Sequence, residues 1–454
     1  VNNTSPKPGK WCSMTRAQTI VERMFKIRER GSCVQTELAA GLTTFVTMSY
    51  IIFVNPSIMA DAGIPKEAAF VATIYATVLG NLLMGLWVNY PIALAPGMGL
   101  NAFFAYYVCG TVGLHWTVAL GAVFISGVIF LILTLTRVRE TLFNGVPMSI
   151  KYALVVGVGM FIALIGLKNA GIVAYSKATL VTLGDLSSPA PLLACFGMAV
   201  SSALLARRVP AAILIGIVAT TLLSMCCGAS PAPAGIENLV SLEIPSLAPV
   251  FMQLDIRGAL HYGLASIVLT FTIVELFDNM GALIGLSRKA GFMEADGRVR
   301  GLGRALTTDS AGTIVSSFLG TSTITTYIES AAGIAQGGRT GLASITVAVL
   351  FALSLFFSPL IGLVPACATA PVLLLVGASM MTEVTNINFN DPTEGVPAFL
   401  TIIMMPMTCS VASGFGFGFI SYVVIKTLAG RAGEISSCTW IIAALFGINF
   451  FMRG

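Results

Sequence analysis

Long apolar blocks, separated by short polar or basic breaks, run through almost the whole chain. Residues 68–136 contain no Asp, Glu, Lys or Arg, and neither do residues 340–382. One uncharged run of ~20 residues is enough for a bilayer-spanning helix. Apolar segments fall at 37–60, 67–90, 92–108, 114–136, 149–168, 190–206, 209–228, 258–286, 305–319, 323–337, 340–364, 366–383, 396–409, 413–428 and 438–452. They predict an all-α polytopic membrane protein of about 14 transmembrane segments, with one of the short C-terminal runs re-entrant or interfacial. Strands of a membrane β-barrel would alternate polar and apolar residues, whereas these runs are continuously apolar.

Composition narrows the reading. With 56% hydrophobic residues, 10% charged residues and a mean hydropathy of +0.89, the chain cannot cover a soluble surface. A soluble enzyme, a nucleic-acid binder and a disordered chain are excluded. The net charge of +5 reports loop bias rather than a nucleic-acid partner. Basic residues gather before the first apolar run (Lys7, Lys10, Arg16, Arg23, Lys26, Arg28, Arg30) and at Arg137/Arg139/Lys151, Arg207/Arg208, 288–304 and Lys426/Arg431. The segment 229–257, with Glu237, Glu243 and Asp255, is net acidic. The positive-inside rule therefore predicts a cytoplasmic N-terminus. The first apolar run is too long for a signal peptide. The nine cysteines, Cys12 among them, read as small buried hydrophobes. Two histidines, His115 and His261, make a histidine-based metal or catalytic site improbable, and no metal site is expected.

Two segments do not read as continuous helix. Leu94-Ala95-Pro96-Gly97-Met98-Gly99-Leu100-Asn101 carries a proline and two glycines, with helix expected to resume past Asn101. Gly320-Thr321-Ser322-Thr323-Ile324-Thr325-Thr326-Tyr327-Ile328-Glu329 starts Thr/Ile-rich, which favours extended backbone, with helix expected from near Thr326. Non-helical backbone at membrane depth has to be buried in protein or line a cavity, and the half-helix that follows aims N–H groups at a site. Short similarities about 228 residues apart (Gly113-Leu114 with Gly341-Leu342; Asn101 with Glu329; Tyr50 with Asp278) hint at an internal repeat that pairs the two broken segments.

Acidic residues inside apolar runs are the candidate chemistry. Glu275 and Asp278 lie three apart, on one helix face, in a stretch from Gly258 to Ser287 free of other charge, with no Lys or Arg nearby in sequence to neutralise them. An acid held in hydrocarbon is costly and marks a functional position. Glu329 is a third; Thr326-x-x-Glu329 also fits a capping box, so this acid has a structural alternative. Asp309 reads as a helix cap or a supporting group. Tyr50 is placed to hydrogen-bond across the core, whereas Asn55-Pro56 reads as a helix end. Phe103, Phe104 and Phe277 are candidates for stacking on a ring or for packing. A membrane-embedded enzyme is not expected: no Ser-His-Asp set, HExxH or aspartyl pair in a Gly-x-Gly-Asp context occurs.

Four separated motifs resemble the AzgA-like purine permeases of the nucleobase–cation symporter and nucleobase–ascorbate transporter superfamily. They are residues 95–105 (APGMGLNAFFA), 275–278 (ELFD), 305–310 (ALTTDS) and 327–333 (YIESAAG). The resemblance runs from about Phe25 to the C-terminus, with bacterial adenine permeases and guanine/hypoxanthine carriers both near. It implies about 14 segments as two inverted repeats of seven. It also implies a cytoplasmic leader (1–35), a core domain of 36–137 and 258–364, and a gate domain of 138–257 and 365–454. Substrate would bind between core and gate and enter with a proton, by elevator-like alternating access, across a bacterial inner membrane. No cofactor beyond the coupling proton is implied, and a homodimer is common in the superfamily. Asn101, Glu275, Asp278 and Glu329 match family positions; with Thr326 and Phe277 they are the expected substrate contacts. Glu275, Asp278 and Glu329 are the expected proton carriers, and Tyr50 and Asp309 the supporting residues. The chain departs from the family in carrying Glu275 where many members have Asp, and Asn279-Met280 where smaller residues follow, which is expected to reshape the pocket. A rival reading is an anion transporter or channel of the same inverted-repeat architecture; three central acids oppose it.

Overall fold

The computed structural model describes residues 16–136, 138–231, 240–261, 265–293 and 299–453. Lys7, Lys10, Cys12, Arg137, Glu237 and the side chains of Arg16 and His261, all named above, lie outside the described set. The chain is mostly helical. Helix α1 (Arg16–Phe25) precedes α2 (Val34–Met48) and α3 (Ile51–Asp61), which follow one another in a single 28-residue span, and α4 (Lys66–Leu83), which winds on as π-helix to Val88. Strand β1 (Leu94–Pro96) leads into α5 (Met98–Ala102) and a second π-helix, Phe103–Thr111. Next come α6 (Trp116–Leu135), the short α7 (Val138–Gly145) and α8 (Met148–Asn169). A hairpin of β2 (Val173–Ser176) and β3 (Leu180–Leu183) separates α8 from α9 (Pro189–Ala206) and α10 (Ala212–Cys226). Then follow α11 (Ile256–His261), α12 (Ala265–Lys289), α13 (Leu302–Leu319), β4 (Ile324–Thr326), α14 (Ser330–Ala335), α15 (Gly341–Ser354) and α16 (Leu360–Leu363). The chain ends with α17 (Ala366–Met380), α18 (Pro392–Thr408), α19 (Val411–Leu428) and α20 (Ser437–Arg453).

Among the described residues, eight helices are long and apolar enough to cross a bilayer: Val34–Asp61, Lys66–Val88, Trp116–Leu135, Met148–Asn169, Pro189–Ala206, Ile267–Lys289, Ala366–Asn386 and Val411–Leu428. Shorter apolar helices cover Ala212–Cys226, Gly341–Phe357 and Ser437–Ile448. This is an integral membrane protein. Helix α2 packs on α15 and α14, α4 on α15 and α13, and α6 on α12 and α13. Helix α8 packs on α17 and α18, α9 on α10 and α17, and α19 on α18 and α20. The α15 contact is close because Gly341 faces Gly85: a Cβ on Gly341 would stand 2.0 Å from the Gly85 carbonyl oxygen.

The two broken segments meet. Strands β1 and β4 pair antiparallel, Leu94 opposite Thr326, Ala95 opposite Thr325 and Pro96 opposite Ile324, and all six residues are buried. A two-stranded sheet has two open edges, which hydrocarbon cannot satisfy. Side chains close them here. The Asn81 amide donates to the Leu94 carbonyl at 2.8 Å and accepts from the Leu94 N–H at 3.3 Å. The Ser330 hydroxyl accepts from the Ala93 N–H at 2.9 Å, and Asn279 accepts from the Thr326 N–H at 2.8 Å.

Several local expectations change. Helix resumes at Met98, before Asn101, because the Asn101 N–H already reaches the Gly97 carbonyl at 2.8 Å. Thr326 stays in β4, and helix α14 begins only at Ser330. Asn55-Pro56 does not end a helix: both residues lie inside α3, and the break in the span falls at Ser49-Tyr50. Asp309 lies midway along α13 and caps nothing. The cysteines are not a buried set: among the described ones Cys367 is buried, whereas Cys33, Cys195, Cys226 and Cys227 are exposed. An outward face in a bilayer meets lipid, which is as apolar as a protein core, so a thiol there needs no burial. Phe103 and Phe104 are fully buried, with Phe103 stacked on Tyr107 and edge-on to Phe271, which makes them packing residues.

Candidate functional site

The eight candidate site residues fall into four neighbouring groups around the strand pair. In the first, Tyr50 at the break between α2 and α3 donates its phenol to the Glu329 carboxylate at 2.5 Å. Glu329 sits at the start of α14 and makes no capping hydrogen bond. The capping-box reading is therefore corrected: its carboxylate is spent on a partner 279 positions away.

In the second group, Asn101 on α5 donates to the Asn55 side-chain Oδ1 at 2.6 Å and accepts from the Ser322 hydroxyl. Asn55 in turn donates to Thr73 at 2.7 Å and Thr321 at 3.1 Å. Both asparagines are completely buried. Their network ties α3, α4, α5 and the segment before β4 into one unit, and such networks rigidify when each member is satisfied.

The third group is ionic. Glu275 on α12 accepts from the Thr313 hydroxyl of α13, and its second oxygen is buried with no hydrogen-bond partner. Asp309 on α13 accepts from the Asn279 amide, and Asn279 passes the connection to the Thr326 N–H of β4. Asn279 is thus a bridge between the helices and the strand pair rather than a bulky pocket residue. The Thr326 hydroxyl is buried and unpartnered. No Lys or Arg lies near Glu275 in sequence, and the fold supplies one to this group. Arg139 of α7 is fully buried, with Nη2 at 3.2 Å from Asp309 Oδ2. In the chain it looks like one more basic residue of a turn, because nothing local distinguishes Arg137 from Arg139; the distinction is made by Asp309, 170 positions on.

The fourth group faces the other way. Asp278 and Phe277 on α12 line a small cavity together with Leu154, Val155 and Val158 of α8, Val274 of α12, Met380 of α17 and Phe415 of α19. Glu275 and Asp278 are three apart, yet one contacts α13 and the other opens on the cavity. The cavity holds about 10 Å³, room for about one water and far too little for a heterocyclic base. Asn101, Glu275 and Glu329 do not line it. Among the described residues no group of three or more His, Cys, Asp or Glu side chains is arranged to hold a metal ion.

The site is therefore a pair of interrupted helices crossing at a short buried sheet, with four carboxylates and one guanidinium gathered near it. The chain resembles known proteins in sequence and in fold. The sequence profile of the permease family Xan_ur_permease matches residues 35–417. The chain belongs to this family of nucleobase permeases. A putative permease of Methanocaldococcus jannaschii is 52% identical over 95% of this chain and 98% of its own length. An adenine permease of Escherichia coli K12 is 42% identical over 95% of this chain and 96% of its own. A guanine/hypoxanthine permease of Bacillus subtilis is 43% identical over 94% of this chain and the whole of its own. The membrane fold is shared more widely. The transmembrane domain of a cyanobacterial bicarbonate transporter, BicA, superposes with a TM-score of 0.64 at 15% identity, over 84% of this chain and 97% of that one. The murine anion transporter Solute Carrier 26 family member A9 gives 0.61 at 12% identity, over 93% and 74%. This nucleobase permease thus has an anion-transporter fold with an acidic centre.

Proposed function

We propose that this permease imports a purine nucleobase (adenine, hypoxanthine or guanine) together with a proton. The observation that carries the reading is the acidic centre beside the paired strands, in a chain whose relatives are named as adenine and guanine/hypoxanthine permeases. A purine edge offers N–H donors and ring-nitrogen acceptors. Carboxylates accept from such donors, and an asparagine amide both donates and accepts. Glu275 and Glu329 hydrogen-bond the base with Asn101 and Thr326, Phe277 stacks on the ring, and Asp278 closes the cavity side. The coupling proton rides on Glu275, Glu329 or Asp278, with Tyr50 and Asp309 in support. One charge moving inward gains about 2.3 kcal/mol per 100 mV, enough for more than tenfold accumulation.

The packing is compatible with an elevator-like cycle. We assign about 14 segments as two inverted repeats of seven, over 36–257 and 258–454, each with one strand-interrupted segment. The core is 36–137 with 258–364, and the gate 138–257 with 365–454, the N-terminus being cytoplasmic. A cavity too small for a purine, lined by α12 on one side and α8, α17 and α19 on the other, supports an occluded arrangement. Sliding of the core against the gate then opens the site to one side at a time. The anion reading suits this fold, but an anion site needs net positive charge and this one carries Arg139 against four acids.

The test is uptake of radiolabelled adenine and hypoxanthine into proteoliposomes, with and without an inward proton gradient, competed by purines and pyrimidines. Accumulation above equilibrium only with the gradient is expected. Entry of inorganic anions without any purine uptake overturns the assignment.

A further inference from the structure

Arg139 is costly where it lies. Helix α7 only has to join α6 to α8, and a turn of small polar residues would do that. Instead it buries a guanidinium completely, and a buried charge costs several kcal/mol unless it is paired. Its partners come from three elements. From α6, Phe130 lies under the guanidinium plane at 3.8 Å and Thr134 accepts from Nη1 at 3.4 Å. From α13, Asp309 accepts from Nη2 at 3.2 Å and the Leu306 carbonyl from Nη1 at 3.4 Å. From α12, Glu275 is the second carboxylate whose field Arg139 feels. Asp278, also on α12, acts in turn on both Glu275 and Asp309. Arg139 Nε and Glu275 Oε2 are both buried and unpartnered, so the cluster is not hydrogen-bonded to completion.

The charges do not balance either. Two carboxylates, Glu275 and Asp309, lie in the field of one guanidinium, which hydrogen-bonds Asp309. With both ionised these three groups carry a net negative charge; with one proton they are neutral, Asp278 standing apart on the cavity. Asp309 takes the guanidinium and the Asn279 amide, whereas Glu275 has one hydroxyl and an empty oxygen.

We propose that Arg139 is a positioning residue for proton coupling: its fixed charge is committed to Asp309, so the cluster holds one exchangeable proton, at Glu275, and the state of that proton is tied to α7. This rests on the transport reading. The chain passes at α7 from the first set of core helices to α8 of the gate, so the cation that senses the proton sits on the connector the two parts share.

The test is purine exchange at equal pH on both sides of proteoliposomes preloaded with unlabelled adenine or hypoxanthine, followed as a function of pH. Four full-length proteins are compared: wild type, Arg139→Met, Asp309→Asn and the double variant. Removing a nearby cation raises a carboxylate's titration, and removing an anion lowers it. The pH above which exchange fails is expected to rise by about one unit in Arg139→Met, to fall in Asp309→Asn, and to return close to wild type in the double variant. Arg139→Lys keeps the charge without the fork, so it retains the wild-type midpoint with slower exchange. Unchanged midpoints, or shifts in the same direction, overturn the proposal. If Arg139→Met does not insert, the comparison of Asp309→Asn with the double variant decides: the double must lie to the alkaline side, and equal midpoints refute it. Heat stability of the same detergent-purified proteins against pH reads the cluster without substrate. The same order of midpoints there, with no purine exchange by the wild type, separates failure of the transport reading from failure of this one.

Discussion

At the scale of residues, the Tyr50–Glu329 pair carries the sharpest expectation. Its two members come from opposite halves of the chain, and the phenol is the only hydrogen-bond donor the structure gives the carboxylate from another side chain among the described residues. A hydrogen bond to a charged group contributes about 1.5–3 kcal/mol. Tyr50→Phe should therefore slow proton-driven purine uptake by about tenfold or more, with the amount of folded protein unchanged. Glu329→Gln keeps an acceptor for Tyr50 but neither the charge nor an exchangeable proton, so it should abolish gradient-driven uptake. Uptake rates set against surface-labelled protein check both, and wild-type transport by Glu329→Gln would remove that residue from the mechanism.

At the scale of elements, the ends of α18 and α19 are fastened outside the spanning helices by an ionic clasp. Asp391 caps α18, accepting from the Thr393 N–H at 2.9 Å, and takes Arg431 Nη1 at 2.7 Å. Glu434 takes Arg431 Nε at 2.7 Å and Lys426 Nζ at 2.6 Å, and Lys426 also pairs with Glu394 at 2.7 Å. Hydrogen bonds from Arg431, then Thr393, pull Asp391 from its ordinary 3.8 down to about 2. Hydrogen bonds from Arg431 and Lys426 bring Glu434 from 4.5 to about 2. Groups whose folded values are lowered contribute stability that is complete above their ordinary values and is lost as pH falls toward the folded ones. The clasp should thus hold unchanged across about pH 5 to 8 and loosen only below about pH 4. Melting curves against pH check this: Arg431→Gln should remove the acid-dependent part and leave the neutral part of the profile in place.

At the scale of the molecule, the proposed sliding of core against gate is testable at the contact of α5 with α8. Gly99 of α5 faces Val158 of α8: a Cβ on Gly99 would stand 3.9 Å from the Val158 Cβ. That spacing lies in the ~3.5–4.5 Å range of a disulfide. The pair Gly99→Cys/Val158→Cys, in a background without the exposed Cys33, Cys195, Cys226 and Cys227, should form a disulfide on oxidation, stop transport, and recover on reduction. Full transport by the cross-linked protein would rule out relative movement of α5 and α8. The likeness to bicarbonate and anion transporters at 12–15% identity is one of fold, and a fold by itself does not fix function.

The chain by itself determined the membrane setting, the two interruptions and three of the central acids; Asp309 read as a cap or a supporting group. Each follows from local chemistry: uncharged runs partition into lipid, proline and glycine break helices, and an acid in hydrocarbon needs a reason to be there. Only the tertiary structure decided how these parts meet. The strands Leu94–Pro96 and Ile324–Thr326 find each other across 230 positions, and the edge groups this exposes recruit Asn81, Asn279 and Ser330. Asn55 changes from a presumed helix end to the centre of a buried network because Asn101 and Thr321 arrive beside it. Glu275 and Asp278 part company because the elements packed around α12 differ: α13 takes one, and the cavity before α8 the other. Arg139 turns from a loop charge into the counter-ion of the site. A buried charge is defined by its partner, and that partner comes from a distant part of the sequence.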